Sequence, residues 1–304
     1  MRFARRESVD RLIDVAKSSN FHGIGGCFYR YAATRRSFAR VLKGCRLDFV
    51  ESTRNLSKAI GPGLLFAGAS IGASHLVQST RAGASFGLAL LLVVVGANLV
   101  KYPAFSFAPR YTAATGMSLL EGYRRQGRWA LVLYGMVTLL SVFTIQSAVT
   151  FVTAGLVIAL LGVHWDPLLL SAAIMILCLG LLRVGSYHWL DWIVKVAVAL
   201  LTVGTFVATL LVLPQIDWSQ AWWPSGAILS DAKSLFFIAA LIGWMPTAID
   251  LSVWHSLWTL AKRRDTGHKP TVAESLLDFN IGYIGTAVLG VCFVLLGAGV
   301  VYGR

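Results

Sequence analysis

Two short stretches place polar and backbone-breaking residues inside otherwise apolar sequence, and these are the positions with the means to do chemistry. The first runs Gly68-Ala69-Ser70-Ile71-Gly72-Ala73-Ser74-His75, a few residues after Gly61-Pro62-Gly63. Glycine accepts backbone angles that other residues resist, and serine can satisfy backbone groups freed from a helix. Opened here, the chain would offer carbonyls around Gly72, the Ser74 hydroxyl and the His75 imidazole to a cation. Left closed, the same small residues would make a face for close helix packing, as Gly83 and Gly87 would at GxxxG spacing. The second stretch is Gly243-Trp244-Met245-Pro246-Thr247-Ala248-Ile249-Asp250. Pro246 removes a backbone donor and obstructs the preceding turn, so a helix should kink or open there. Met245 brings a polarizable thioether, although methionine in apolar surroundings is more often filler. Asp250 is an acid deep in an apolar run, where an unpartnered charge costs about 3 kcal/mol, so it should face a partner or a cavity. His255 is read as an interfacial histidine, with a ligand or proton-carrying role as the alternative. Asp191 and Lys195, four residues apart, are expected to pair locally.

These residues must be positioned by elements that cross a membrane. The AVILMFWYC set makes up 56% of 304 residues and charged residues 13%, about half the charged share of an ordinary soluble domain. That balance excludes disorder and a small disulfide-stapled module. Seven apolar stretches have the length of a span: roughly 59–80, 84–107, 130–161, 167–183, 190–213, 234–260 and 279–302. The net charge of +13 suggests nucleic acid until its distribution is seen. The basic residues lie between the apolar runs. They crowd the leader up to Lys58, the loop with Arg110, Arg124, Arg125 and Arg128, and the loop with Lys262, Arg263, Arg264 and Lys269. The loop from Gly162 to Pro167 has none and the loop after the fifth span has only Lys233. This alternation predicts a cytoplasmic N-terminus, with Trp218, Trp222 and Trp223 as interfacial anchors on the outer side. The lipid bilayer is the expected environment, and nucleic acid is not an expected partner.

Residues 1–58 lack the apolar core of a secretory signal and show no amphipathic repeat, so they are read as a poorly ordered basic cytoplasmic segment ahead of a transmembrane domain over 59–304. Cys27, Cys45, Cys178 and Cys292 show no CxxC or Cys/His ligand spacing; those in apolar runs are read as packing residues. No HExxH, GxSxG or P-loop marks an enzyme. The two interrupted spans, the first and the sixth, lie five spans apart. That is the pattern of an inverted-repeat secondary transporter with its substrate near the membrane midplane.

The stretch Gly61 to Gly87 resembles the first span of the natural resistance-associated macrophage protein family of divalent-metal transporters. The resemblance continues through Ala97-Asn98-Leu99, Thr115 to Glu121, Leu190-Asp191, His255-Ser256 and Leu277-Asp278-Phe279-Asn280. It implies an all-α, LeuT-like inverted-repeat bundle of about seven transmembrane helices, with the second repeat incomplete. It also implies a divalent cation as substrate, alternating access around spans one and six, and no cofactor. On this resemblance the chain is expected to be a shortened version of a longer protein; the alternative reading is a degenerate, non-transporting membrane scaffold. The family's Asp-Pro-Gly-Asn motif falls, without gaps, on Gly72, Ala73, Ser74 and His75, so its acid is replaced by glycine and its amide by imidazole. Its Met-Pro-His motif matches Met245-Pro246-Thr247 by Met-Pro. Matched through His255-Ser256 without a gap, it falls on Ala248 and Asp250, which is the preferred register because no insertion is needed. The implied metal set is Gly72, Ser74, His75, Met245 and Asp250. Imidazole and thioether favour transition metals, whereas carboxylate and carbonyls favour Mg and Mn. The family's third-span acids for proton movement are absent from 131–161, where Gln146, Ser147, Thr150 and Thr153 are the polar groups. Coupling would then fall to His75 or His255, or transport would be passive.

Overall fold

The computed structural model describes residues 58–184 and 187–303. The basic leader, with Cys27 and Cys45, and the Asp191 side chain lie outside the described residues, so the expectations placed on them are not addressed by the fold.

Eleven α-helices form among the described residues, and no strand. Helix α1 (Pro62–Ser70) runs into a wide-turned π-type segment, Ile71–Ser79, and on into α2 (Thr80–Phe86). Then come α3 (Leu91–Thr115), α4 (Leu119–Gln126), α5 (Arg128–Leu161), α6 (Pro167–Val184) and α7 (Tyr187–Val212). A short α8 (Gly226–Ser230) precedes α9 (Ala232–Trp244), α10 (Asp250–Thr266) and α11 (Val272–Val300). Each of the seven apolar stretches is largely helical; the sixth is broken between α9 and α10, the second is cut by the turn over residues 87–90, and the first is kinked at Gly72. Among the described residues four helices are long and apolar enough to cross a membrane, within Leu91–Thr115, Arg128–Leu161, Trp192–Gln215 and Val272–Val300.

Local chemistry explains many of the boundaries. Pro62 occupies the first turn of α1, where its missing N–H costs nothing. Ser118 with Glu121, and Thr271 with Glu274, form reciprocal capping boxes that start α4 and α11. Helix α4 was expected as loop. Its capping box and the insertion of Leu119 beneath α10 make it a surface helix, with the Leu119 N–H donating to Ser256 Oγ at 3.1 Å.

Helix α11 is the axle of the bundle, packed against α1, α2, α3, α7 and the π-type segment. Small residues let these backbones approach. A Cβ on Gly63 would strike the Asp278 carbonyl, and one on Gly282 would strike Gly63. A Cβ on Gly83 would meet the Val294 carbonyl, and one on Gly297 would meet Thr80. The packing expectation for Gly83 therefore holds. Gly87 does something else: it ends α2 with φ +57°, a conformation that costs glycine little, and is no helix-packing residue. A cluster of Phe66, Phe105, Phe279 and Tyr283 fills the space between α1, α3 and α11. By contrast α5 and α6 turn Leu140, Phe143, Leu160 and Ile176 outward, the surface lipid would cover.

Candidate functional site

The polar residues of the first span lie at a kink, where Gly72 leaves the helical region at φ −58°, ψ −121° within the wide-turned segment Ile71–Ser79. Gly72 is exposed, and no atom lies within 4 Å of where its Cβ would be. Beyond it Ser74, His75 and Ser79 are buried. Ser74 is buried and donates to the Ser70 carbonyl, and the Pro246 carbonyl lies 3.3 Å from the same hydroxyl. His75 is wholly buried, with Nδ1 2.7 Å from Ser74 Oγ and 3.0 Å from the Ser70 carbonyl. A carbonyl only accepts, so the Ser70 carbonyl favours a proton on Nδ1. The Nε2 edge of the ring lies against the backbone of α11 at Gly290 and Thr286.

The sixth span is interrupted outright. Helix α9 closes with the Met245 N–H donating to the Leu241 carbonyl at 3.0 Å; Met245 itself is extended, at φ −87°, ψ 133°. The helix resumes only at Asp250. The missing Pro246 donor and the obstruction by its ring account for the stop. Met245 is fully buried, its sulfur 3.9 Å from Ser79 Oγ, among Leu90, Leu91, Val94 and Leu241. Asp250 is 6% exposed and occupies the first turn of α10. There the unpaired N–H groups of the helix end favour a negative charge. The two interruptions therefore meet at Ser74–Pro246 and at Ser79–Met245. No hydrogen bond or ion pair joins His75 to Asp250. Nor, among the described residues, do three His, Cys, Asp or Glu side chains come close enough together to hold one ion. Any cation here would depend on carbonyls, hydroxyls and the thioether as much as on charged groups.

His255 departs from its expected place. It is 1% exposed, edge-on to Phe279 at 5.5 Å and to Phe66 at 6.2 Å, with neither ring nitrogen hydrogen-bonded. The aromatic cluster that buries it comes from α1 and α11, far away in sequence, and nothing in its own neighbourhood announces it. Cys292 is buried in α11 and Cys178 is exposed, both free.

Two further residues matter that the motif reading passed over. Asp278 is buried in α11 and accepts from the Gly61 N–H at 2.9 Å and the Gly63 N–H at 2.7 Å, holding the start of α1. Lys101, in the middle of α3, sends its ammonium to the Gly243 carbonyl at 3.0 Å, the Met245 carbonyl at 2.7 Å and the Ile242 carbonyl. These are the carbonyls left at the end of α9. The sequence carried one signal for it, a lysine well inside an apolar span, since a charge at that depth needs a partner.

Comparison with known proteins bears on this arrangement. The chain is 35% identical over 248 residues to the uncharacterized protein PM0681 of Pasteurella multocida, covering 81% of this chain and 57% of that protein. It is 26% identical over 259 residues to the divalent metal cation transporter MntH of Latilactobacillus sakei, covering 82% and 56%. The fold is similar to the crystal structure of the Eremococcus coleocola manganese transporter, with a TM-score of 0.61 over 81% of this chain and 52% of that one. At 20% identity this likeness speaks for the fold alone. The chain thus spans little more than half the length of these relatives. The apolar helices and these relatives together describe an integral, multi-pass membrane protein. A family model, natural resistance-associated macrophage protein-like, matches residues 63–304, and with that match across nearly all the described residues the chain belongs to the Nramp family.

Proposed function

We propose that this chain takes part in carrying divalent metal cations across a membrane by alternating access, the ion passing between the kinked first span and the break separating α9 from α10. The observation that carries this reading is the meeting of the two interruptions, Ser74 with the Pro246 carbonyl and Ser79 with Met245. Irregular backbone at membrane depth survives where it lines a cavity or is buried in protein, and in transporters it commonly supplies carbonyls to the transported ion. The proposed ligands are the backbone at Gly72, the Ser74 hydroxyl, His75 Nε2, the Met245 thioether and the Asp250 carboxylate. For the sulfur, the burial of Met245 beside Ser79 favours the register that aligns Met245-Pro246, whereas the acid at the start of α10 is Asp250 in either register. A single carboxylate balances half of a divalent charge, so binding should be weak. The mixed donors suit a transition ion such as Mn²⁺ better than Ca²⁺.

Metal uptake into vesicles holding the protein tests this. His75→Ala and Asp250→Ala should each remove most of the uptake; unchanged uptake in both removes the ligand assignment. The N-terminus is proposed to be cytoplasmic, and a reporter fused there should be active only on that side. A non-transporting scaffold is the second reading, favoured by the glycine in place of an acid at position 72 and by the engagement of His75 Nδ1 with Ser74 and Ser70. Under that reading no variant in the set changes metal movement.

A further inference from the structure

The end of α9 is already occupied by a cation belonging to the protein. A helix terminating inside a membrane leaves carbonyls without N–H partners and carries a partial negative charge. Here three of them, on Ile242, Gly243 and Met245, converge on one ammonium, that of Lys101 from α3. Among the described residues no carboxylate lies within ion-pair distance of that partly exposed ammonium, so carbonyl dipoles are its protein partners. Carbonyls converging on a point are the groups a hard cation would use in place of its water. Met245 is also the residue whose sulfur reaches Ser79 of the first span.

We propose that Lys101 is a specificity-determining residue, a tethered ammonium that competes with a soluble divalent cation for the carbonyls at the α9 break. This rests on the transport reading for its cargo but not for its geometry. Three donor hydrogens on a flexible stem suit three carbonyls. A fixed positive charge at the break also raises the cost of bringing a divalent ion beside it. A metal ion entering fully must displace the ammonium, and only then would the Met245 and Gly243 carbonyls be available to it.

The test is Mn²⁺ binding to the full chain in detergent, by calorimetry, for wild type, Lys101→Met and Lys101→Arg, with size-exclusion profiles confirming each fold. Lys101→Met should bind Mn²⁺ at least tenfold more tightly than wild type, and Lys101→Arg should stay within about threefold of it. Equal or weaker binding by a folded Lys101→Met, or no binding by either protein, overturns the proposal. Should Lys101→Met fail to fold, amine-reactive labelling of Lys101 in the wild type decides. Labelling that rises with millimolar Mn²⁺ supports displacement, and labelling that does not change refutes it. Tighter binding by Lys101→Met together with absent uptake in every protein would leave this inference standing and remove the transport reading instead.

Discussion

Two helix ends, the start of α1 and the end of α9, are held by opposite charges donated from other helices. At the start of α1 the buried carboxylate of Asp278 accepts from the Gly61 and Gly63 N–H groups. At the end of α9 the ammonium of Lys101 donates to three carbonyls. Each charge has the sign that the helix end favours, an anion at the N-terminus and a cation at the C-terminus. The lesson is that an open backbone in lipid is finished in trans, by a residue chosen for charge rather than for nearness in sequence. The two ends also differ. Asp278 lies across a tight, glycine-mediated contact with no spare volume, whereas Lys101 is partly exposed and reaches carbonyls at a break in the sixth span.

The largest expected effect breaks the first half of that comparison. Asp278→Ala removes two charge-assisted acceptors from a buried helix start. It should lower stability by about 3 kcal/mol, read as a fall in the thermal unfolding midpoint in detergent. Asp278→Asn, which keeps one acceptor, should fall between the two. Next comes the contact that makes the first region tight. Gly83→Ala should cost about 2 kcal/mol, because a methyl group meets the Val294 carbonyl and the backbones must separate. Gly155→Ala, on a helix face with open space, should be neutral in the same assay.

Position 72 offers a way to sharpen the contrast. Gly72→Asp places a carboxylate where nothing stands within 4 Å, so it should be accommodated and should tighten Mn²⁺ binding about tenfold, or ~1.4 kcal/mol. Unchanged affinity would show that position 72 does not face the cation. The smallest effect concerns an ordinary exposed cap, as a control on the buried ones. The Ser234 hydroxyl and N–H, bonded to Asp231 at the start of α9, hold that carboxyl below the usual carboxylate range. A depressed native value means that its stabilisation is present above the unfolded pKa and is lost as pH falls through the native one. Asp231→Asn should therefore reduce the midpoint slightly at neutral pH and flatten its dependence below about pH 4. It should leave metal binding alone.

Much of this architecture was legible beforehand for a simple reason. Apolar runs long enough to span lipid leave little choice of structure, so the positions of seven helical stretches followed from composition along the chain. Pro246 announced the break in the sixth span through the donor it lacks. The wide-turned geometry around Ser74 and His75 was not legible, because glycine and serine permit both an opened turn and a wide one. Nor was the burial of His255, which rests on Phe66 and Phe279 from two other helices. The Gly87 turn was mistaken for a packing position because GxxxG spacing says nothing about where a helix stops.

By itself the sequence determined that the protein lives in a membrane, where its helices lie, and where two of them carry the residues of an interruption. These are consequences of local hydrophobicity and local backbone chemistry. Tertiary structure alone decided which charge meets which helix end. Lys101 is separated from its carbonyls, and Asp278 from its N–H groups, by well over a hundred residues. Such pairings arise only when helix packing brings an unsatisfied backbone group and a charged side chain together, and in lipid each would be costly without the other.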